Sequence, residues 1–391
     1  MNSILFVHNY YRQPGGEDNV FAAERAMLRD KGHTVHEYIA RSDSISAAQY
    51  LAMPVTTLWN RRSAQELARI CREKKPEVVH FHNTFPLISP SAYYAAKRAG
   101  AAVVQTLHNY RLICPDARFF RKGRVCEDCM NKNFAWPSLI HRCYQKSFFA
   151  SLIAAAMLAL HKKMGTYARM VDTYIALTNF AKAKLVEAGF DSAQISVKPN
   201  FLQKDPGAGN GDGGYFLVAA RLSAEKGVDT LLAAWRKALN RPALKIAGDG
   251  PLSTMVADRA QRLGGVDYLG HKSHDEVLAL MKNARALVIP SLWYEGFPMT
   301  VVEAYASGLP VIASNLGSLG ELVINEKTGL LFECGNAEAL AKQANRLCDE
   351  PALAEAMRTG ARNEYEQKYN AEQNYKLLIN IYQKAIEKAK Q

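Results

Sequence analysis

The sequence predicts an α/β protein of two domains, each built on a parallel sheet. Three observations predict it. Short apolar runs of strand length alternate with longer segments whose apolar residues recur at helical spacing, the rhythm of βαβ units. That rhythm starts twice, near residue 4 and again near residue 215, with a glycine-rich stretch between. A chain of 391 residues exceeds one ordinary core and suits two domains of comparable size. A hydrophobic content of 48% with 22% charged residues marks a globular chain rather than a disordered one.

Residues 4–7 read as a buried strand. The opening M-N-S-I-L-F-V-H lacks a basic start and has four apolar residues in a row, so a strand is expected and not a signal peptide. The loop H-N-Y-Y-R-Q-P-G-G-E-D-N follows, then a helix over about residues 20–31 closed by Gly32, then the strand T-V-H-E-Y-I. Gly15 and Gly16, at the helix start, would let a ligand approach the backbone. Residues 77–81 form another strand, leading to His80, His82 and Asn83. Residues 101–107 form the next, leading to His108, Asn109 and Tyr110. Ligands of open α/β sheets bind beyond the carboxyl ends of strands. His82 and His108 at equivalent strand ends therefore mark a candidate site, where an imidazole suits donating a hydrogen bond to a sugar hydroxyl near neutral pH.

Residues 111–146 break this rhythm. Cys114, Cys126, Cys129 and Cys143 fit a four-thiolate site, with the CxxC pair preceded by Gly123 as in a zinc knuckle. A structural Zn²⁺ is the leading reading, with reduced thiols or a disulfide as alternatives. The insert also carries Arg111, Arg118, Arg121, Lys122 and Arg124, and because it follows His108 it is expected to shape an acceptor site. The longest apolar run, residues 148–160, is thirteen long, whereas a membrane span needs about 20. A core helix is expected there, with a membrane-surface helix as the alternative. The strand V-D-T-Y-I-A-L-T and the helix A-K-A-K-L-V-E-A-G-F complete the first domain.

Charge separates the halves. Residues 1–199 hold 27 Lys and Arg against 15 Asp and Glu, and residues 200–391 hold 22 of each, so the net +12 belongs to the first half. That half should face an anionic partner: a membrane surface, a phosphorylated lipid, an acidic glycan or nucleic acid. Seven Cys without a secretory signal argue against a disulfide framework.

The glycine-rich stretch, about residues 201–214, is the expected linker. The strand Y-F-L-V-A-A then leads into R-L-S-A-E-K-G, where Arg221 and Lys226 can bracket a diphosphate. The strand A-L-K-I-A ends in G-D-G-P, where Gly248 and Gly250 would allow contact with a base or ribose. V-D-Y-L-G, with Leu269, is another strand end. The densest stretch is residues 290–310, P-S-L-W-Y-E-G-F-P-M-T-V-V-E-A-Y-A-S-G-L-P. A strand ends there, the chain turns through Glu295, Gly296, Phe297 and Pro298, and an apolar helix begins. Pro298 suits the first helical position, and the amides behind it suit a phosphate. Glu303 lies inside an apolar segment, so its carboxylate must be paired or ligand-bound; two neighbouring ribose hydroxyls fit it. Three helices close the chain, the last over about residues 372–388 and amphipathic.

These motifs together resemble the retaining nucleotide-sugar glycosyltransferases of family four, also called group 1, with the GT-B fold. P-G-G-E and T-L-H in the first half match the same family, and the resemblance covers nearly the whole chain. It implies two Rossmann-like domains whose parallel sheets face a central cleft. Residues 1–200 would form the acceptor domain with the insert 111–146. Residues 215–370 would bind the nucleotide sugar, and residues 371–391 would cross back to the first domain. It implies that His108 and Glu295 contact the donor sugar, that Arg221 and Lys226 hold the diphosphate, and that Glu303 binds the ribose. Gly15 and Gly16 would line the cleft, and Gly248, Leu269, Gly296, Phe297 and Pro298 would complete the donor site. Glu17, His82, Arg111 and Arg118 are expected on the acceptor side. The cysteine insert resembles a bacterial subset rather than the family at large.

The implied activity is transfer of a sugar from a nucleoside diphosphate sugar to a hydroxyl of a glycan or lipid-linked glycan, in bacterial surface polysaccharide or lipopolysaccharide synthesis. No D-x-D pair stands where a Mg²⁺ would be needed, so no catalytic cofactor is expected. The expected place is the inner face of the cytoplasmic membrane, held peripherally by its anionic surface. Another GT-B enzyme, a nucleotide-sugar epimerase or glycan phosphorylase, is the alternative. A nucleic-acid module, suggested by the basic half, lacks aromatic–basic repeats and is not expected.

Overall fold

The computed structural model describes residues 3–11, 15–43, 46–238 and 242–390. Residues 12–14 of the expected glycine loop lie outside the described residues. The chain divides into two compact units. The first comprises Met1–Phe119, Glu127–Pro199 and Ala371–Gln391, and the second comprises Phe120–Cys126 and Asn200–Asn370.

The first unit carries β1 (Ser3–Tyr10), β2 (Thr34–Arg41), β3 (Val78–Phe81) and β4 (Ala102–Leu107), and later β7 (Thr173–Ala176) and β8 (Ile195–Val197). A short antiparallel hairpin, β5 (Phe120–Arg121) and β6 (Arg124–Val125), stands apart. The six strands pair in parallel in the order β2-β1-β3-β4-β7-β8. β1, β3 and β7 are buried on both faces, so they read as continuous apolar runs rather than alternating ones. The first helix, Gly16–Asp30, starts earlier than its apolar pattern suggests, because Asp18 caps the Gly15 N–H at 2.8 Å. The apolar run becomes the helix Phe148–Lys163. Ala154, Ala155, Met157 and Leu158 are buried, as a core helix requires, but Phe148 and Phe149 at its start are exposed. The helix Ala371–Ala389 packs on β4 and on Gly16–Asp30. Among the described residues no helix is long and apolar enough to cross a membrane.

The second unit holds β9 (Tyr215–Ala219), β10 (Ala243–Ala247), β11 (Val266–Gly270), β12 (Ala286–Ile289), β13 (Val311–Ser314) and β14 (Gly329–Phe332). They pair in parallel in the order β11-β10-β9-β12-β13-β14. Its core joins Phe216, Val218, Leu231, Trp235, Ile246, Val288, Ile312 and Leu340 from both layers. The glycine stretch is not a loose linker. Gly209, Gly211 and Gly213 donate their N–H groups to the carbonyls of Ser307, Lys282 and Asn283 at 2.9, 3.0 and 2.8 Å. A Cβ on Gly209 would lie 2.1 Å from the Lys282 carbonyl oxygen, so glycine is needed there for backbone contact and not for freedom.

Candidate active site

In the first sheet the strand order reverses between β1 and β3, and open α/β sheets hold ligands beyond the carboxyl ends at such a point. Asn83, just past β3, donates to the Asn9 carbonyl of β1 at 2.8 Å and to Glu17 Oε1 at 3.3 Å. Burial, and then the charge of Asp18, push the Glu17 carboxyl up to about 8, with Arg111 opposing. Asp18 itself is committed to the Gly15 N–H and to His8 Nε2 at 2.7 Å. Gly15 has φ −128, and a Cβ there would meet no described atom within 4 Å. Among the described residues, no contact demands glycine at that position.

His82 and His108 leave neighbouring strands and meet, Nδ1 to Nε2, at 2.9 Å with their rings stacked. Burial, and then the charge of His82, hold His108 well below the usual imidazole range, so it is neutral at pH 7. With Asn83, Asn109 and Arg111 they line a cavity of about 30 Å³. The Arg111 guanidinium lies 4.2 Å from the Phe85 ring centroid and 4.8 Å from that of Tyr144. Glu17, His82, His108 and Arg111 are thus brought together. Arg118 is not among the residues lining this cavity; it pairs with Asp116 at 2.7 Å in its own turn.

Behind the histidines lies a buried network. Glu24 Oε1 accepts from Lys198 Nζ at 2.6 Å, and Glu24 Oε2 stands 3.4 Å from His82 Nε2 and 3.7 Å from His80 Nδ1. Burial works to raise Glu24, but the Lys198 charge and His82 overcome it and hold the carboxyl well below its usual range. Among the described residues, sets of three His, Cys, Asp or Glu within metal-ligand reach are Glu24, His80 and His82, and His8, Glu17 and Asp18. In the first set Lys198 already supplies the cation; in the second Asp18 is used as a helix cap.

Among the described residues, neither set includes a cysteine. Cys126 Sγ accepts from Arg121 Nε at 3.4 Å, Cys129 contacts the Ala135 carbonyl at 3.9 Å, and burial raises the Cys114 thiol. None of the seven cysteines is joined in a disulfide.

In the second sheet the order reverses between β9 and β12. Arg221 and Lys226 follow β9, and Ser291 and Glu295 follow β12, so the switch point joins the two motifs. Glu295 is buried and accepts from Lys226 Nζ at 2.8 Å and Ser291 Oγ at 2.6 Å. Burial pushes its carboxyl up, but Lys226 and these hydrogen bonds bring it below its usual value. Lys226 Nζ also lies 5.4 Å from the Trp293 ring centroid, and Arg221 is exposed. Glu303, in the helix Met299–Ala306, is buried, and burial raises its carboxyl while His274, at 3.6 Å, opposes.

One sequence expectation is corrected here, the helix position of Pro298, and two further residues of the expected donor side are placed. Pro298 is the cap before the helix rather than its first residue, with φ −65 and ψ 121, and its carbonyl accepts from the Val301 N–H at 3.1 Å. The Phe297 ring is buried against Tyr369 at 5.9 Å and its carbonyl accepts from Asn200 at 3.3 Å, so its side chain serves the core. Gly248 has φ +147, and a Cβ there would lie 1.9 Å from the Ala220 carbonyl oxygen; the close approach is to the chain itself. Gly296 follows Glu295 in the turn, and Leu269 sits half-buried at the end of β11.

Sequence reasoning missed Glu24, Lys198, Ser291 and His274. Glu24 had a signal, since it shares a helical face with Val20, Phe21, Met27 and Leu28, all buried. The others had none.

Two family models match the chain, one per half. The model for "Glycosyltransferase Family 4" matches residues 14–205, and that for "Glycosyl transferases group 1" matches residues 202–364. The glycogen synthase of Mycobacterium tuberculosis is 34% identical over 188 residues, 46% of this chain and 44% of that protein, so the matched stretch spans under half of the relative. An uncharacterized 42.6 kDa protein in the cps region of Klebsiella pneumoniae is 25% identical over 359 residues, 82% of this chain and 87% of that one. Among solved structures, Anabaena Alr3699/HepE in complex with UDP superposes with a TM-score of 0.66 at 17% identity, covering 99% of both chains, which speaks to the fold.

Proposed function

The chain belongs to the group 1 and family 4 glycosyltransferases, with the GT-B fold, and on that footing we propose that it moves a sugar from a nucleoside diphosphate sugar to a hydroxyl of a glycan or lipid-linked glycan. The transfer retains configuration at the anomeric carbon and uses no catalytic metal. The observation that carries this reading is the opposite state of two glutamates in one stretch. Glu295 is held ionised by Lys226 and Ser291, whereas Glu303 is buried beside an exposed imidazole. A carboxylate buried without a strong cation suits two ribose hydroxyls, while Lys226 and Arg221 suit a diphosphate. The neighbour solved with UDP supports a nucleotide ligand.

In the proposed reaction the bond from the anomeric carbon to the diphosphate breaks, the acceptor oxygen bonds that carbon, and its proton passes to the departing diphosphate. Retaining glycosidases use two carboxylates about 5–5.5 Å apart, one as nucleophile. Glu295 is committed to Lys226, which favours attack on the leaving-group face instead. Arg221, Lys226 and the start of the helix Met299–Ala306 would stabilise the charge developing on the diphosphate. The first unit would supply His108 toward the sugar and Glu17, His82 and Arg111 toward the acceptor.

The lipid-linked acceptor and the inner membrane face belong to the same proposal. The helix Ala47–Leu58 exposes Tyr50, Leu51 and Val55 and packs against Phe148–Lys163, whose start exposes Phe148 and Phe149. Apolar side chains on the basic half suit an anionic bilayer surface. The match to a protein of a cps region supports polysaccharide synthesis. A structural Zn²⁺ in the insert stays a proposal that metal analysis of the purified protein decides. The central test is a thermal-shift panel of UDP, GDP, ADP and TDP sugars, since a ligand at 100 times its Kd stabilises by about 2.7 kcal/mol. Release of nucleoside diphosphate in step with acceptor glycosylated then marks a transferase; turnover without acceptor, or dependence on orthophosphate, would mark an epimerase or phosphorylase.

A further inference from the structure

Glu24, His82 and His108 form a line that runs from the interior to the small cavity of the first unit. Glu24 is fully buried and carries the Lys198 ammonium on Oε1. Its other oxygen lies 3.4 Å from His82 Nε2, and His82 Nδ1 lies 2.9 Å from His108 Nε2. A neutral imidazole has one N–H, and its neighbours decide which nitrogen holds it. A proton on His82 Nε2 lies near a carboxylate in a low-dielectric interior and is attracted to it even without an aligned hydrogen bond, whereas a lone pair there would face the same negative charge. The proton therefore belongs on His82 Nε2. His82 Nδ1 is then a lone pair and can only accept, so the proton between the two rings belongs to His108 Nε2. His108 Nδ1 is left unprotonated.

The surrounding groups leave this assignment intact. His80 spends Nδ1 on the Tyr382 hydroxyl at 2.7 Å and Nε2 on Thr106 Oγ1 at 2.8 Å. His8 spends Nε2 on Asp18. Lys198 is shared between Glu24 and Asn374 Oδ1, at 2.6 and 3.1 Å. Phe6 stacks on His82 with centroids 5.4 Å apart and fixes the plane of the ring.

We propose that Glu24, acting through His82, locks His108 as the Nε2–H tautomer, so that His108 meets its sugar as a hydrogen-bond acceptor at Nδ1. This rests on His108 being a sugar-contacting residue, as the proposed function has it, and it reverses the donor role expected from sequence. Glu24 and His82 are positioning residues. The group they select for is a sugar hydroxyl that donates a hydrogen bond to His108 Nδ1.

The test is nitrogen NMR of the full chain labelled at histidine, with His108→Gln used to assign the signals. The expected result is His108 with Nε2 protonated and Nδ1 not. His82→Phe keeps a ring in the stack but removes both ring nitrogens, and with them the hydrogen bond to His108 and the polar contact with Glu24. It should release His108 into a mixture of tautomers and lower kcat by at least about tenfold, with KM for the donor within about twofold. Glu24→Gln should shift His108 the same way; if it fails to fold because Lys198 is stranded, His82→Phe decides. A wild-type His108 protonated at Nδ1, or a His82→Phe variant with tautomer and kcat unchanged, overturns the proposal. If the tautomer is as stated but no donor sugar is ever transferred, the functional reading fails while the relay stands.

Discussion

The two units keep their charged residues in opposite ways. In the first, Glu24, Lys198, His80 and His82 are all buried and answered by one another, by Tyr382, by Thr106 and by Asn374. In the second, Lys226 is partly open, Arg221 is exposed, and Glu303 is a buried carboxylate facing an exposed imidazole. Burying a charge is tolerable when its pair is made in place, and such a pair then resists change. Charges left half-open keep the capacity to bind something else. The first arrangement fixes a side chain, and the second leaves charge available to a ligand.

The sharpest way to break the contrast is to remove one cation from each unit. Lys198→Met should cost about 3–5 kcal/mol in a urea unfolding curve, because it strands a fully buried Glu24. Lys226→Met should cost no more than about 1–3 kcal/mol, because Ser291 still satisfies Glu295 and water reaches the site. Equal losses in the two variants would erase the distinction. Next in size, Arg221→Ala with Lys226→Ala should lower kcat/KM by at least about 100-fold while the fold survives, read from steady-state release of nucleoside diphosphate. Undiminished turnover would refute the diphosphate assignment.

Smaller again, Glu303→Gln should weaken nucleotide binding about tenfold, or about 1.4 kcal/mol, by calorimetry, since an amide keeps one acceptor and loses the charge. The smallest effect is in the first unit. Glu17 is pushed up to about 8 from 4.5, so folding favours its protonated form. That contribution is full below pH 4.5 and is lost as pH rises toward 8. Glu17→Gln should flatten the fall in melting temperature across that window, and a parallel curve for the two proteins would remove Glu17 from the account.

What was legible in the sequence follows the range of the interactions. The βαβ rhythm, the strand ends at His82 and His108, and the Glu295–Glu303 stretch are local patterns, and the strands fall within a few residues of the expected places. Glu24 and Lys198 are 174 positions apart, and no local pattern announces such a pair. Residues 201–214 read as a spacer because glycine means freedom until something lies close to it; here Lys282 does. The cysteine spacing permits a cluster, but spacing alone does not bring four thiols to one point. Pro298 misled by one position because its φ suits either side of the helix boundary, and only ψ tells them apart.

The last helix completes the first unit from the far end of the chain: its Tyr382 answers His80, and its Asn374 answers Lys198 and the Pro199 carbonyl. On a ribosome the residues that need these partners emerge first and the partners last. At about 5–20 residues per second, the intervening second unit delays them by roughly ten to thirty seconds. Through that interval Lys198 has Glu24 but not Asn374, and His80 has Thr106 but not Tyr382. A nonsense codon in the final helix would therefore injure the opposite end of the polypeptide, and nascent chains stalled before it should be the ones that chaperones hold.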